Sequence, residues 1–404
     1  MACVAPTPPP DLDTIASRYI QRTRDLARHD PSLVDHWLRE PPPPTAPRRP
    51  VRDLADEIRV LSADADRAWA AAADDAARER AAHLQRQLTA LTLAARRLLG
   101  ESPPFDEEAR LGFGLDPIAL EETPLRTARE ALDREVPGAG SLATRVDAFR
   151  ASFRVPDDRR DLVMRLALDA CRTATAAAFH LPSDESVELR FVAGLPWDAH
   201  AEYLGAHRTR IEINAAPLDL SRALRLACHE GYAGHHAQYI WLDDEVLGTR
   251  GWSEFALVPG FGPDLLAAEG TAEAGTDLAM PPDARLRVYR EALAPAAGIA
   301  AADLDRLVRV EGLLAALEPA IGDIARAYLD NRINASTAAE RLTDEVLMAD
   351  SAGFVTFIER RRSRLLAYAE GGRRALAAVR THGGLAALRP LMVSLACRAE
   401  RRPA

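Results

Sequence analysis

The sequence contains no lysine: all 51 basic residues of its 404 are arginine. A chain without lysine cannot form a Schiff base, use a lysine as general base or supply the lysine of a phosphate-binding loop. Acidic residues outnumber basic ones, and the net charge of −9 argues against general nucleic-acid binding. Several classes of mechanism and partner are therefore excluded before any motif is considered.

Cysteine is scarce, with four residues at Cys3, Cys171, Cys228 and Cys397. No two lie close in sequence and no Cys-x-x-Cys occurs, so we expect free thiols in a reducing cytosol. The first residues lack the basic and apolar regions of a secretory signal. No apolar run approaches the ~20 residues that a membrane helix needs. We therefore expect a cytoplasmic protein that does not enter a membrane.

Two proline-rich stretches, "APTPPP" and "EPPPPTAPRRP", interrupt the start of a chain that is otherwise mostly helical in pattern. Between them, residues 11–40 carry apolar and charged residues at helical spacing. This arrangement predicts an N-terminal segment, residues 1–50, that contains one helix and a stiff linker. The remainder, residues 51–404, is predicted to form a single helical domain.

Strand-like sequence is confined to residues 186–217, where "SVELRFVAGLPW" and "HRTRIEIN" contain β-branched residues in alternation. We predict a mainly α fold with one small, largely antiparallel sheet directly before the histidine-rich stretch described next. The second strand is a candidate edge strand that lines a cleft and pairs with an extended substrate. Asn214 at its end would face that groove or cap the following helix.

The stretch "HEGYAGHH" contains three of the ten histidines within eight residues. In a regular helix, His235 would point ~120° away from His229, and His236 would lie over ~10 Å along the axis, so neither pairs easily with His229 on one metal. Gly231 and Gly234 are each costly inside a helix by about 1 kcal/mol, and glycines are expected where a helix is bulged or restarted. We predict that a distortion between these glycines aims His229 and His235 at one metal ion.

Carboxylates supply the other groups that a hydrolytic metal site needs. Glu230, directly after His229, is the natural general base for a metal-activated water. Glu269 and Glu273 share one face of a predicted helix, so one can bind the metal while the other orients a ligand histidine or contacts the substrate. Acidic residues four apart are also common on solvated helices, and the alternative for the histidines is a surface helix that carries them by chance.

The decapeptide "HEGYAGHHAQ" resembles the His-Glu-x-x-Pro-Gly-His-His-x-Gln signature of the domain-of-unknown-function family numbered 885. That family looks like a distant relative of the gluzincins, the zinc metallopeptidases that bind metal through two histidines and a glutamate, a group with carboxypeptidase Taq as a helical member. The resemblance implies a helical, gluzincin-related fold. Further stretches that resemble family segments cover most of the chain: "FDEEARLGFGLDP" at 105–117, "RIEIN" at 210–214, "EGTAE" at 269–273 and "RSRLLAYAEGG" at 362–372.

The resemblance also implies roles for single residues. It assigns His229, His235 and Glu269 as the metal ligands and Glu230 as the general base. Tyr368 matches a tyrosine that would donate a hydrogen bond to a developing oxyanion.

Three further positions depend on the same resemblance. His236 is a reserve metal ligand, or otherwise a residue that supports the site or hydrogen-bonds the substrate. Ala233 replaces the proline of the signature, and Arg364 replaces a glutamine that often precedes the tyrosine segment. Arg364 would add a fixed positive charge near the site, which makes it a candidate substrate-binding residue.

Together these features predict a metal-dependent hydrolase that cleaves an amide or peptide bond, with one divalent metal ion, zinc by preference, as cofactor. Residues 51–180 would form the N-terminal helical part of the catalytic domain and residues 181–404 its metal-site core. The expected substrate is a small molecule or short peptide. Alternatives are a metal-dependent tailoring enzyme acting on a small acyl or peptidyl metabolite, and a non-catalytic helical binding protein with a remnant motif.

Overall fold

The structure is a computed structural model that describes residues 11–39, 47–116, 119–194 and 197–393. Helices make up 71% and strands 8% of it, which confirms the mainly helical fold with little sheet that the sequence predicts. Most of the two proline-rich stretches lies outside the described residues.

The N-terminal half of the chain begins with four helices whose first member is shorter than expected. Helix α1 starts where the carboxylate of Asp11 accepts a hydrogen bond of 2.9 Å from the backbone N–H of Thr14. It ends well before residue 40, because a 3₁₀ turn (Pro31–Leu33) and strand β1 (Val34–Trp37) follow it. Apolar residues of the first three helices pack into one core. The helices are α1 (Leu12–Ala27), α2 (Val51–Ala70), α3 (Asp75–Leu98) and α4 (Phe105–Phe113).

The described residues form two small sheets. Strand β1 pairs antiparallel with β5 (Leu257–Pro259). The other sheet has the order β2-β4-β3 and contains β2 (Ser186–Val192), β3 (Ala199–Gly205) and β4 (Arg208–Asn214). Strand β4 is antiparallel to β3 and parallel to β2. The prediction that "HRTRIEIN" is an edge strand is therefore wrong, because β4 is paired on both sides.

Strand β3 is the outer strand that the sequence pattern missed. Its residues, "AHAEYLG", include alanine, glutamate and glycine, which are depleted in strands and give no β signal on their own. The two-residue turn that joins β3 to β4 has positive φ at Ala206 (50°) and His207 (59°). Turns with positive φ at both central residues are favoured in tight hairpins, because their backbone twist matches that of the flanking strands. Pairing with β4 thus creates a strand that local propensity does not predict.

Fourteen further α-helices among the described residues complete the fold, and no helix there has the length and apolarity that crossing a membrane would require. They are α5 (Glu122–Glu135), α6 (Leu142–Ala151), α7 (Arg160–Phe179), α8 (Leu220–Leu226), α9 (His235–Trp241), α10 (Gly262–Ala279), α11 (Pro282–Val288), α12 (Ala294–Ala297), α13 (Leu304–Ala315), α14 (Pro319–Leu329), α15 (Ala335–Glu345), α16 (Ser351–Arg361), α17 (Leu366–His382) and α18 (Leu388–Val393).

Helices α10 and α17 cross in backbone contact. A Cβ atom built on Gly270 of α10 would lie 2.5 Å from the carbonyl carbon of Gly371 on α17, so neither position tolerates a side chain without movement. Each glycine lies close in sequence to a predicted site residue, Glu269 on α10 and Tyr368 on α17. The crossing therefore brings the two helices that carry these side chains together.

Helix α7 is joined covalently to the segment that carries the histidines. Cys171 on α7 forms a disulfide with Cys228, which directly precedes His229, and the two Cα atoms are 5.6 Å apart. The expectation of free thiols is therefore wrong for this pair. A separation of 57 residues conceals the pairing in the sequence, and only the packing of α7 against the histidine segment reveals it. Cys3 and Cys397 lie outside the described residues.

Candidate metal centre

The backbone is distorted where the two glycines of "HEGYAGHH" occur. Helix α8 continues into a π-helical turn (Ala227–Tyr232), and within this turn Gly231 leaves helical geometry, with φ −102° and ψ −124°. Gly234 has φ −133° and ψ −125°, and α9 begins directly after it. A Cβ on Gly234 would lie only 1.9 Å from the carbonyl oxygen of His229. The predicted distortion is present, and it folds the chain back against one of the histidines.

The distortion brings together the three predicted metal ligands. Donor atoms of His229, His235 and Glu269 all lie within 4.8 Å of one another, and all three residues are buried. Oε2 of Glu269 is 3.2 Å from Nε2 of His229 and 3.7 Å from Nε2 of His235. The two imidazole rings are nearly perpendicular, at 89°, with centroids 4.9 Å apart. Two imidazole nitrogens and one carboxylate oxygen thus converge on one small volume.

The charge state of Glu269 suits a cation. Burial raises its pKa, but the close approach and charge of His229 and His235 together outweigh burial, so that the pKa lies far below its usual range. The carboxylate is therefore an anion held beside two ring nitrogens. These donors fit a divalent cation of the kind that His, His, Glu sites bind, since a metal can replace the protons shared between the groups.

Glu273 holds the other side of the His229 ring. Its Oε1 lies 3.1 Å from Nδ1 of His229, one helical turn along α10 from Glu269. Burial lowers the pKa of His229, but Glu273 and Glu269 together raise it well above its usual value. A carboxylate behind a ligand histidine fixes the orientation of the ring and increases its basicity. The contact fits the predicted orienting role of Glu273, while contact with a substrate stays a prediction.

Glu230 is buried and has no bonding partner among the residues that the structure describes. Its relative exposure is 6%, and its carboxylate makes no hydrogen bond or ion pair within the described part of the chain. Glu230 directly follows His229 in the sequence, and its charge contributes to raising the pKa of both His229 and His235. A buried carboxylate beside a metal site that has no other bonding partner is available to accept a proton.

Tyr368 lies over one of the two candidate ligand histidines. Its ring centroid is 6.3 Å from that of His229, with the ring planes 20° apart. Burial first, and then the charge of Glu269, raise the pKa of Tyr368 well above its usual value. The phenol is therefore protonated and can donate a hydrogen bond at this position, as the predicted role requires.

Two residues beside the site were not predicted. The ring of Tyr239 is parallel to that of His235, 5.8 Å away and at 9°, and His36 of β1 lies 5.5 Å from Tyr239. Burial is the main cause of a raised pKa at Tyr239, and the charges of Asp35, Glu230 and Glu269 raise it further. Tyr239 follows His235 by four residues, which is a usable helical signal, whereas no local pattern connects His36 to this site.

His236 has a structural role. Its Nδ1 is 2.7 Å from Oγ1 of Thr209 and its Nε2 is 3.0 Å from Oε2 of Glu185, and the residue has no exposed surface. The hydroxyl of Tyr232 donates to the same Glu185 oxygen at 2.9 Å, and Arg172 pairs with the other at 2.5 Å. Both ring nitrogens are therefore occupied, and the predictions of a reserve metal ligand or a substrate-binding residue are wrong. A step of one residue along α9 turns His236 away from His235.

The other two predicted substrate-binding residues make contacts elsewhere. Asn214 donates to the carbonyl of Trp197 at 2.9 Å, and the cap of α8 is Asp219, so the capping alternative for Asn214 is wrong. Nη1 of Arg364 donates to the carbonyl oxygen and the hydroxyl of Ser32, at 3.1 and 3.0 Å. Neither set of contacts involves the three candidate metal ligands.

No protein-family model matches the sequence, and no curated protein matches it. Among solved structures, the chain is similar to one described as "the putative lipoprotein from Colwellia psychrerythraea". The two share 14% sequence identity at a TM-score of 0.52, over 86% of this chain and 68% of that chain. It is also similar to the chain described as "BsuCP Crystal Structure", with 12% identity and a TM-score of 0.48, over 92% of this chain and 85% of that chain. At these identities the likeness concerns the fold alone.

Proposed function

We propose that the chain is a metal-dependent hydrolase of an amide or peptide bond, related to the family numbered 885. The observation that carries this proposal is the convergence of three buried donor atoms within 4.8 Å, next to Glu230, whose carboxylate has no partner among the described residues. Zinc is the metal that two histidines and one glutamate fit best, although other divalent ions accept the same donors.

A divalent ion in such a site polarises a substrate carbonyl and lowers the pKa of water. The chain's own groups perform the proton transfers. Glu230 accepts a proton from the attacking water and returns it to the leaving nitrogen. His229, His235 and Glu269 hold their positions because the backbone distortion, the disulfide and Glu273 fix them. The Tyr368 hydroxyl donates a hydrogen bond to the oxygen on which negative charge develops.

The experiment compares wild type with Glu230→Gln in metal content and in hydrolysis of a panel of short peptides and acyl amides. Since Glu230 is not a ligand in this proposal, the variant should retain its metal. Turnover should fall by at least ~100-fold, the scale expected for losing a general base. Glu121→Gln, which alters an exposed carboxylate, is the control.

Three outcomes would contradict the proposal. Loss of metal from Glu230→Gln would make Glu230 a ligand. Unchanged turnover would remove it from proton transfer. Failure of metal-loaded wild type to hydrolyse any member of the panel would leave the amide hydrolase without support.

A further inference from the structure

Two tyrosines flank the candidate metal centre, each with its ring against a different candidate ligand histidine. The ring of Tyr239 on α9 lies 5.8 Å from that of His235 at 9°, and the ring of Tyr368 lies 6.3 Å from that of His229 at 20°. The two histidine rings are nearly perpendicular, so the tyrosines approach the centre from different directions. The proposed reaction uses the hydroxyl of Tyr368 and leaves that of Tyr239 without a role.

The hydroxyl of Tyr239 has no partner, and the protein does not enclose it. Tyr239 is 2% exposed, and its hydroxyl makes no hydrogen bond among the described residues. Tyr19 in the core of α1, α2 and α3 is also buried with an unpaired hydroxyl, but its oxygen is fully enclosed, whereas that of Tyr239 is not. A polar atom that a buried residue leaves unpaired but accessible is available to a ligand.

His36 of β1 supplies a second unpaired donor beside Tyr239. Its Nε2 accepts the backbone N–H of Tyr203 at 2.8 Å, so the ring is neutral and carries its proton on Nδ1. Nδ1 makes no hydrogen bond among the described residues and is likewise not enclosed, although His36 is only 9% exposed. The rings of His36 and Tyr239 are 5.5 Å apart. Two donors without acceptors therefore lie on neighbouring rings, one of which contacts His235.

The line of rings continues from His36 towards the surface. The ring of His200 lies edge-on to that of His36 at 6.3 Å, and the ring of Trp197 lies 5.9 Å from that of His200. His200 and Trp197 are half-buried, whereas His36 and Tyr239 are buried. The rings thus connect the candidate metal centre with solvent.

The charge of the two donors indicates which group they bind. Both are neutral, and Tyr239 contacts His235, which lies 3.7 Å from the carboxylate of Glu269. A second anion at this place would be removed from water next to a negative charge without a cation to compensate it. A carbonyl oxygen carries no full charge and has two lone pairs, so it can accept from both donors.

We propose that Tyr239 and His36 form a subsite that hydrogen-bonds a carbonyl oxygen of the substrate other than that of the cleaved amide. The proposal rests on the proposed function and narrows its substrate class to compounds with a second amide carbonyl, as in a peptide, rather than simple acyl amides. Tyr239 and His36 are then substrate-binding residues.

The test compares N-acetylglycine hydroxamate with pentanohydroxamate, which have chains of equal length and differ in the second amide. Both bind zinc through the hydroxamate, and binding to the zinc-loaded protein is measured by calorimetry, so the result does not depend on catalysis. The acetylglycine compound should bind at least ~10-fold more tightly, the scale expected of two added hydrogen bonds. Its flexible glycine lets the second carbonyl reach either side of the centre.

Tyr239→Phe keeps the ring and removes the hydroxyl, so it should reduce this ratio to below ~3-fold and leave zinc affinity unchanged. His36→Gln keeps an acceptor for the Tyr203 N–H and removes Nδ1, so it should act in the same direction. Tyr19→Phe, which removes an enclosed hydroxyl, is the control and should leave the ratio unchanged.

Equal binding of the two hydroxamates by wild type would overturn the subsite, as would binding of neither or full retention of the ratio in either Tyr239→Phe or His36→Gln. A loss of zinc affinity in Tyr239→Phe as large as its loss of hydroxamate binding would make Tyr239 a support for His235 and overturn its contact with the substrate. Hydrolysis of simple acyl amides as fast as peptides would refute the subsite alone. A preference for the acetylglycine compound without hydrolysis of any peptide or amide would refute the proposed function alone.

Discussion

Gly234→Ala should disable the candidate metal centre. A Cβ at this position would lie 1.9 Å from the carbonyl oxygen of His229 and 2.7 Å from its carbonyl carbon. Ordinary contact begins near 3.4 Å, so two backbone segments must separate by about 1.5 Å. His229 and His235 lie on either side of this contact, and metal–ligand distances tolerate deviations of only about 0.2 Å. We therefore expect a loss of metal affinity of at least ~100-fold, which corresponds to about 2.7 kcal/mol.

Gly231→Ala is the matched control, because it introduces the same methyl group in the same distorted segment. Its Cβ would meet the side-chain atom Cδ2 of Leu168 at 2.9 Å, and a leucine side chain can move where a backbone cannot. We expect this variant to lose less than ~10-fold in affinity. Both substitutions reduce the conformational freedom of the unfolded chain to the same extent. The difference between their metal affinities therefore reflects the folded site.

The assay is competition between the protein and a chromophoric chelator for zinc, with the thermal unfolding of each metal-free protein recorded in parallel. Parallel unfolding separates loss of metal from loss of fold. Wild-type affinity in Gly234→Ala would refute the reasoning, because the close contact would then not position the ligands. Equal losses in both variants would show that the contact with His229 has no special role.

Two further changes test the surroundings of the site. Glu185→Gln removes the charge from the group that holds Tyr232 and His236, so zinc affinity should fall by roughly 10-fold, and an unchanged chelator titration would argue against this support. Burial first, and then the charge of His200, lower the pKa of His36 to about 4, while an unfolded histidine titrates near ~6.5. The unfolded state alone takes up this proton as the pH falls from ~6.5 to ~4, so stability is complete above that window and decreases through it. Between pH 7 and pH 5, the free energy of unfolding measured in urea should fall by about 2 kcal/mol more for wild type than for His36→Gln. Equal decreases in the two proteins would contradict the lowered pKa of His36.

The histidine segment shows what a short stretch of sequence can predict. The spacing of His229 and His235 is incompatible with a regular helix, and the two glycines between them mark the only positions where the backbone can depart from one at low cost. The distortion therefore follows from local chemistry. The position of Glu273 can also be predicted from the sequence. Residues one turn apart on a helix share a face, so a second carboxylate one turn after Glu269 reaches the same histidine ring.

Contacts between distant segments could not be predicted in this way. The disulfide of Cys171 and Cys228 depends on the packing of α7, and strand β3 depends on its pairing with β4. The two nitrogens of His236 find their partners on β4 and on the segment before β2, which local spacing does not encode. Periodicity indicates which face of an element is buried but not which other element covers it, so each of these features needed the tertiary structure.

The most direct test of the account is the zinc content of wild type and His235→Ala after loading and exhaustive dialysis. We predict one zinc ion per chain in wild type, because His229, His235 and Glu269 would supply the three ligands of a single site. Folded His235→Ala, which retains only two of these donors, should keep almost none. Wild type without zinc, or His235→Ala with the same zinc content as wild type, would contradict the assignment of this cluster as a metal centre.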